Sequence, residues 1–373
     1  MMNIHYLNRQ SLPSWRLIQC VRVILYVCLA LSFQIEAAAD TGAGVSRADT
    51  KVDDTDVASV SLYKAVSFYE NKQLELAKQQ FKAALGTTTQ EEALVYLGRI
   101  AYDQGDPKTA STYLLKAIAI GPSSSDEYYW LARAYASQAR NSGSLRGLIL
   151  AKKIKKYAKL AVETDPNSVH ALRLLIDFKL YAPSFIGGST KEAQEDIDQL
   201  HKLSSLDASI KQLELFSRKK QSQKALASAR SLILKHPESA EAHHVAGLSF
   251  RGNGLLDEAL QCFEQGLSIQ ETPANAYYID RLKFRYAETA LLNNTETDKA
   301  ISVLTSLLSA STNHAGFEQA WPTWTLAKLY LYKGQGDRYI KLRDSLSEDT
   351  LKKDKVLSKD IERYNDLYRD LNS

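Results

Sequence analysis

A recurring order of small and aliphatic residues constrains this chain more than any other feature. In residues 92–123, Leu94, Leu97, Gly98, Gly105, Ala110, Leu114, Ala117 and Pro122 fall at helical intervals on either side of a glycine turn. Gly98 and Ala110 are small where two helices cross, because larger side chains would push the axes apart. Pro122 ends the second helix, since proline cannot continue one. The same frame returns with Ala65, Phe68, Ala77, Phe81 and Ala84 in 58–91, and with Leu213, Phe216, Ala225, Ala229, Leu232 and Pro237 in 206–239. It returns again with Ala246, Gly247, Phe250, Gly254, Ala259 and Phe263 in 240–273, and more weakly with Leu326, Ala327, Tyr330 and Gly334. One helical pair cannot bury its own apolar face, so a chain built this way must stack its pairs. With 17 Gly and 8 Pro in 373 residues, a protein of many tight β-turns is disfavoured.

These spacings resemble the tetratricopeptide repeat (TPR). The resemblance implies an all-α fold, a right-handed superhelical solenoid of TPR-like helical pairs with a C-terminal capping helix. The array is expected over 57–346 as about eight pairs, with insertions at 137–147 and 181–190, and the cap over 351–371. Around the second insertion, Leu160 to Pro166 is an aliphatic run ending in Asp-Pro, and Tyr181 to Ser189 carries Ala182-Pro183 and Gly187-Gly188 before Lys191, Glu192 and Ala193. This stretch is similar to exported bacterial TPR proteins with an Ala-Pro-x-x-x-Gly-Gly loop between helices. It implies an envelope-associated repeat protein, without known catalytic residues.

The N-terminus is consistent with export. Arg9, Arg16 and Arg22 precede the apolar stretch Val23 to Phe33, and Ala37-Ala38-Ala39 follow. A positive flank, a short apolar run and a small-x-small site describe a secretory signal peptide, here 1–39. Residues 40–56 are then a flexible lead, and the location is periplasmic or secreted. The alternative is an uncleaved N-terminal anchor. Of 47 basic and 43 acidic residues, the segment holds three Arg and one Glu, so the remainder carries a net charge of +2. Such balance excludes a nucleic-acid partner that needs a clustered basic excess. Cys20 and Cys28 leave with the segment, and Cys262 alone cannot form an intrachain disulfide.

No constellation supports catalysis. His243 and His244 are adjacent on a helix and point apart, and no other histidine sits at i, i+4, so no metal is expected. Gly247-Leu248-Ser249-Phe250-Arg251 lacks the second glycine of a nucleophile elbow. The glycine pairs Gly252/Gly254 and Gly334/Gly336 follow helices and not strands, which excludes a dinucleotide site, and no cofactor is expected. Cys262 beside Phe263 suggests a shielded thiol. Gly187, Gly188, Ser189 and Thr190 precede a helix, where N–H groups can receive an anion or a ligand. The competing explanation is a turn with a capping box from Ser189 and Glu192. Lys152, Lys156 and Lys159 share one stripe, either a solvated face or a peripheral contact with a membrane or anionic envelope polymer.

The interaction signal lies on the first helix of each pair. By resemblance to the family, inner-face positions fall on Tyr63 and Tyr69, on Tyr96, Arg99 and Tyr102, and on Tyr129, Trp130 and Arg133. Tyr, Trp and Arg dominate interface hot spots, and Arg99 and Arg133 share one repeat position as a ladder for a carboxylate or extended peptide. Any of these aromatics can instead pack between repeats. The expectation is a non-enzymatic scaffold binding a protein or peptide partner. The alternative is a soluble ligand-binding component of a solute transporter, acting through the loop from Tyr181 to Thr190.

Overall fold

The computed structural model describes residues 57–372 apart from Thr88, Pro122, Asn141 and 310–318. The segment 1–39, the lead 40–56 and the helix-ending role of Pro122 therefore lie outside the described residues. All regular structure among the described residues is helical. In the first three pairs the helices are α1 (Val57–Glu70) with α2 (Leu74–Ala83), α3 (Gln90–Asp103) with α4 (Pro107–Ile118), and α5 (Ser125–Arg140) with α6 (Ser144–Thr164). They continue as α7 (Val169–Tyr181) with α8 (Thr190–Leu203), α9 (Ser205–Arg218) with α10 (Ser222–Lys235), and α11 (Ala240–Gly252) with α12 (Leu256–Leu267). The last pairs are α13 (Ala276–Asn293) with α14 (Thr297–Ser309) and α15 (Ala320–Tyr332) with α16 (Gly336–Asp344), followed by α17 (Glu348–Lys353) and α18 (Lys355–Asn372). One compact unit ends at Asp207 and a second begins at Ala208.

Five pairs share one turn. The residue two places past the first helix has φ between 56° and 81°: Lys72, Gly105, Lys220, Gly254 and Gly334. The next N–H then donates back into the helix, Gln73 to Phe68 and Asp106 to Ala101 at 2.8 Å, and Gln221 to Phe216 and Gln335 to Tyr330 at 2.9 Å. This left-handed closure satisfies carbonyls that the helix end leaves open. Several helix starts are set by side-chain oxygens. Asp106 accepts from the Thr109 N–H at 3.0 Å ahead of Pro107, Ser168 from Ala171 at 3.3 Å, and Ser239 from Ala242 at 3.2 Å.

The close crossings fall where glycine was expected. A Cβ on Gly98 would sit 2.7 Å from Leu114 Cγ and 3.3 Å from the Ala110 carbonyl, and one on Gly247 would sit 2.2 Å from Phe263 Cε1. In the first unit Ala65, Ala77, Phe81, Ala84, Ala93, Leu97 and Ile100 form a buried cluster across the first three helices. In the second unit Leu357 and Ile361 of α18 join Trp324, Ala327, Leu331 and Tyr339, so the last helix covers α15 and α16. Asp360 accepts from Trp324 Nε1 at 2.8 Å and Lys328 Nζ at 3.0 Å, tying the cap polar-side as well.

Two boundaries differ from expectation. The insertion placed at 137–147 shrinks to 141–143, because Ala139 and Gly147 are buried and carry the helices onward despite the Ser- and Gly-rich composition. The terminal helix placed at 351–371 is broken at Asp354, whose carboxylate accepts from the N–H groups of Val356 and Leu357 at 3.0 Å and starts a new helix.

Candidate functional site

In the first unit, the first helices of successive pairs place rings and guanidinium groups in alternation. Tyr69 on α1 meets Tyr96 on α3 edge-on at 5.4 Å, and Tyr96 stacks on Phe81 at 4.7 Å. Arg99, one turn further along α3, lies 5.0 Å from the Tyr96 ring and 5.2 Å from the Trp130 ring of α5. Arg133, one turn beyond Trp130, lies 4.4 Å from Trp130, 4.8 Å from Tyr102 and 5.4 Å from Tyr129. Tyr129 continues the series to His170 on α7 at 5.9 Å. Tyr63 is exposed near the start of α1. The repeat period thus brings seven of the eight expected groove residues into one connected face, and each cation stacks on rings that attract it.

The charges on this face are largely answered within it. Arg99 pairs with Asp126, and burial, which works against its charge, is outweighed by Asp126 so that its pKa stands above the ordinary arginine value. Arg133 is only 7% exposed. Burial again opposes its charge, while Tyr129, Tyr102 and Asp103 hold its pKa up. Asp103 accepts the Tyr69 hydroxyl at 2.9 Å, and burial raises its carboxyl pKa. Burial, with Arg173 second, lowers His170, and Arg173 pairs with Asp207. The two arginines therefore do not stand free as a paired grip for carboxylates. Tyr96, Arg99, Tyr129 and Trp130 keep partly exposed edges, while Tyr102 and Arg133 form the floor.

Sequence reasoning named the arginines but missed Asp126, Asp103 and His170, which fix them. It also missed a comparable cluster in the second unit. There Arg281 lies 4.7 Å over Tyr277, repeating the Tyr129 to Arg133 spacing, and Tyr277 meets Tyr278 edge-on at 5.3 Å. His244 packs 6.0 Å from Tyr278, with neither ring nitrogen hydrogen-bonded. Burial, then Arg281 and Arg285, press its pKa well below the ordinary histidine value. The spacing Tyr-x-x-x-Arg was the signal available in the sequence. His243 points away, its Nε2 lying 2.9 Å from the Pro237 carbonyl. Cys262 donates to the His243 carbonyl at 3.3 Å, and burial pushes its thiol up to about 12.

The glycine loop is built as a turn. Gly187 has φ 105°, and a Cβ on Gly188 would sit 1.7 Å from the Ala182 carbonyl oxygen. The N–H groups of Gly187, Gly188 and Ser189 donate to the carbonyls of Ser184, Pro183 and Lys179 at 3.0, 3.0 and 2.8 Å. Ser189 caps α8 by accepting from Glu192 at 3.2 Å, and Thr190 is the first helical residue. Three of the four backbone donors offered for an anion, those of Gly187, Gly188 and Ser189, are thus engaged inside the loop. Among the described residues no three His, Cys, Asp or Glu converge as metal ligands.

Helical pairs joined by a common turn, with aromatic and arginine side chains along their first helices, define a TPR-like helical-repeat fold. The tetratricopeptide repeat family model matches residues 62–125, 95–150 and 212–276. A tetratricopeptide repeat protein from Parabacteroides merdae is similar in structure, with TM-score 0.53 and 14% identity over 74% of this chain and 99% of that one. Yeast Tom70 is similar with TM-score 0.63 and 16% identity over 92% of this chain and 70% of that one. No curated protein matches in sequence. TPR arrays are scaffolds for protein or peptide binding and are generally not enzymes.

Proposed function

We propose that this protein is a non-enzymatic scaffold of the bacterial cell envelope, and that a protein or peptide partner lies across Tyr63, Tyr69, Tyr96, Arg99, Tyr102, Tyr129, Trp130 and Arg133. The alternation of half-buried rings and guanidinium groups along α1, α3 and α5 carries this reading. Such a face offers flat ring area for backbone amides and apolar side chains, and Trp, Tyr and Arg supply the largest binding terms in interfaces. Assembly, secretion or transport are the settings in which an envelope scaffold serves. The N-terminal pattern Arg9 to Ala39 supports a periplasmic or secreted location. A solute-transporter component, the second class considered, is less supported because the loop donors at 187–189 are already engaged.

The test is a photo-crosslinking amino acid placed at Tyr63, Tyr96 or Trp130 in intact cells, with Lys116 on the outer helix α4 as control. A partner adduct from the face and not from the control is expected. Trp130→Ala should then weaken binding by about 2 kcal/mol, with helicity as the fold control. Adducts of equal yield from Lys116 would refute the assignment. Intact-mass analysis of the exported chain should show a start near Asp40, whereas full-length chain confined to membranes favours the anchor.

A further inference from the structure

The second helix of the third pair carries a face that the groove leaves unused. Along α6, Leu145, Ile149, Lys152, Lys156 and Lys159 follow one another at steps of four and three residues and share one stripe. From Ser144 to Val162 the helix holds six basic residues and no acidic one. Its first acid, Glu163, lies 3.1 Å from Lys159. The two residues at the head of the stripe are large and apolar, yet Leu145 is 76% and Ile149 55% exposed. Beside the lysines, the turn before Gly187 projects Phe185, which is also 76% exposed. Lys152, Lys155, Lys156 and Lys159 on one side and Phe185 and Ile186 on the other line an open depression of about 520 Å³.

We propose that this face docks on an anionic lipid bilayer, with the ammonium groups at the level of the phosphates and Leu145, Ile149 and Phe185 in the boundary of the acyl chains. Two features select that occupant. A one-signed cluster of lysines is attracted to an anionic leaflet and fades with salt. Three exposed apolar side chains around the cluster gain nothing from a hydrated polyanion but gain burial at a lipid interface, where lysine stems lie along the apolar layer. Among the described residues no helix is long and apolar enough to cross a membrane, so the contact is in-plane.

The experiment floats the full chain with phosphatidylcholine vesicles that contain or lack phosphatidylglycerol. The readout is the difference between wild type and variant on the same vesicles, so any attraction of Arg9, Arg16, Arg22 and the apolar stretch Val23 to Phe33, which all variants share, cancels. Wild type should prefer the anionic vesicles, and the preference should fall with salt. Replacing Lys152, Lys156 and Lys159 together by Glu should reduce it by about a hundredfold or more, at roughly fivefold for each lysine lost. Replacing Leu145, Ile149 and Phe185 together by Ser leaves the charge intact and should reduce binding to the anionic vesicles by about tenfold or more. Both variants change exposed residues, so helicity and melting temperature should hold. Absence of an anionic preference in wild type, or its undiminished survival in the lysine variant, overturns the proposal. So does full retention of binding to the anionic vesicles in the serine variant, together with equal binding of dextran sulfate by that variant and wild type, which would assign the face to soluble polyanions.

Discussion

Gly247→Ala tests the stacking directly, because α11 holds a second glycine as its own control. The new Cβ at 247 would lie 2.2, 2.5 and 2.8 Å from Cε1, Cδ1 and Cζ of Phe263, whereas a Cβ on Gly252 meets nothing within 4 Å. Phe263 is fully buried, so its ring must move by about 1 Å into a close-packed interior. Overpacking of that kind costs about 1 to 3 kcal/mol, and three ring atoms inside 3 Å place this case near the upper end. Gly→Ala in a helix returns about 1 kcal/mol, leaving Gly247→Ala about 2 kcal/mol less stable than wild type. Gly252→Ala keeps the gain alone, about 0.5 kcal/mol at a helix end. Urea unfolding followed by circular dichroism should separate the two variants by more than 2 kcal/mol or so, and adding Phe263→Leu to Gly247→Ala should recover part of the loss. If both glycine variants shift equally and in the same direction, α11 and α12 do not cross at this position and the repeat frame is wrong.

Lys220→Gly should stabilise the second unit by about 1 kcal/mol, since lysine there holds φ 56° in a turn that three other pairs close with glycine; a higher urea midpoint at unchanged slope is the measurement. His244→Leu should be neutral or stabilising at pH 7.5, because it removes two buried nitrogens that have no hydrogen-bond partner. It should also flatten the acid limb of the stability curve. The folded pKa of His244 is depressed, so the unfolded chain binds the extra proton, and wild-type stability is present above about pH 6.5 and lost below it by at most about 1.4 kcal/mol per pH unit. Equal slopes for wild type and variant between pH 6.5 and 5 would show that His244 is protonated in the folded chain.

The helical pairs were legible because their determinants are local. Small residues at crossings, a left-handed turn residue and a Ser or Asp cap all act within one pair, and they put α3, α4, α11 and α12 within a few residues of expectation. Lys72 and Lys220 carry the same turn without its glycine, so the turn at those places is set by the pair and not by the residue. The break at Asp354 was missed because Asp competes between helix interior and cap, and only the docking of Leu357 and Ile361 decides in favour of the cap. At the site, the period located Arg99 and Arg133 but not their state. Asp126 lies 27 residues beyond Arg99, and Asp103 and Tyr69 are 34 apart, so these partners exist only once neighbouring pairs have stacked.

That difference changes how the groove works. Free arginines would meet a ligand as flexible cations, and each would lose rotamer freedom on binding, at about 0.5 to 1.5 kcal/mol per side chain. Here Arg99 is held between Tyr96 and Trp130 and bound to Asp126, and Arg133 lies under Trp130, Tyr102 and Tyr129. Their order is fixed by folding, so a partner on the proposed face would meet a rigid surface and lose little to arranging it. The same burial makes reversal of both arginines a poor probe of binding, because an acid at 133 would be buried against Asp103 and would disturb the fold itself. Tyr63 is the cleaner probe. It is exposed on α1 outside the connected cluster, and Tyr63→Ser removes ring area without uncovering a buried cation.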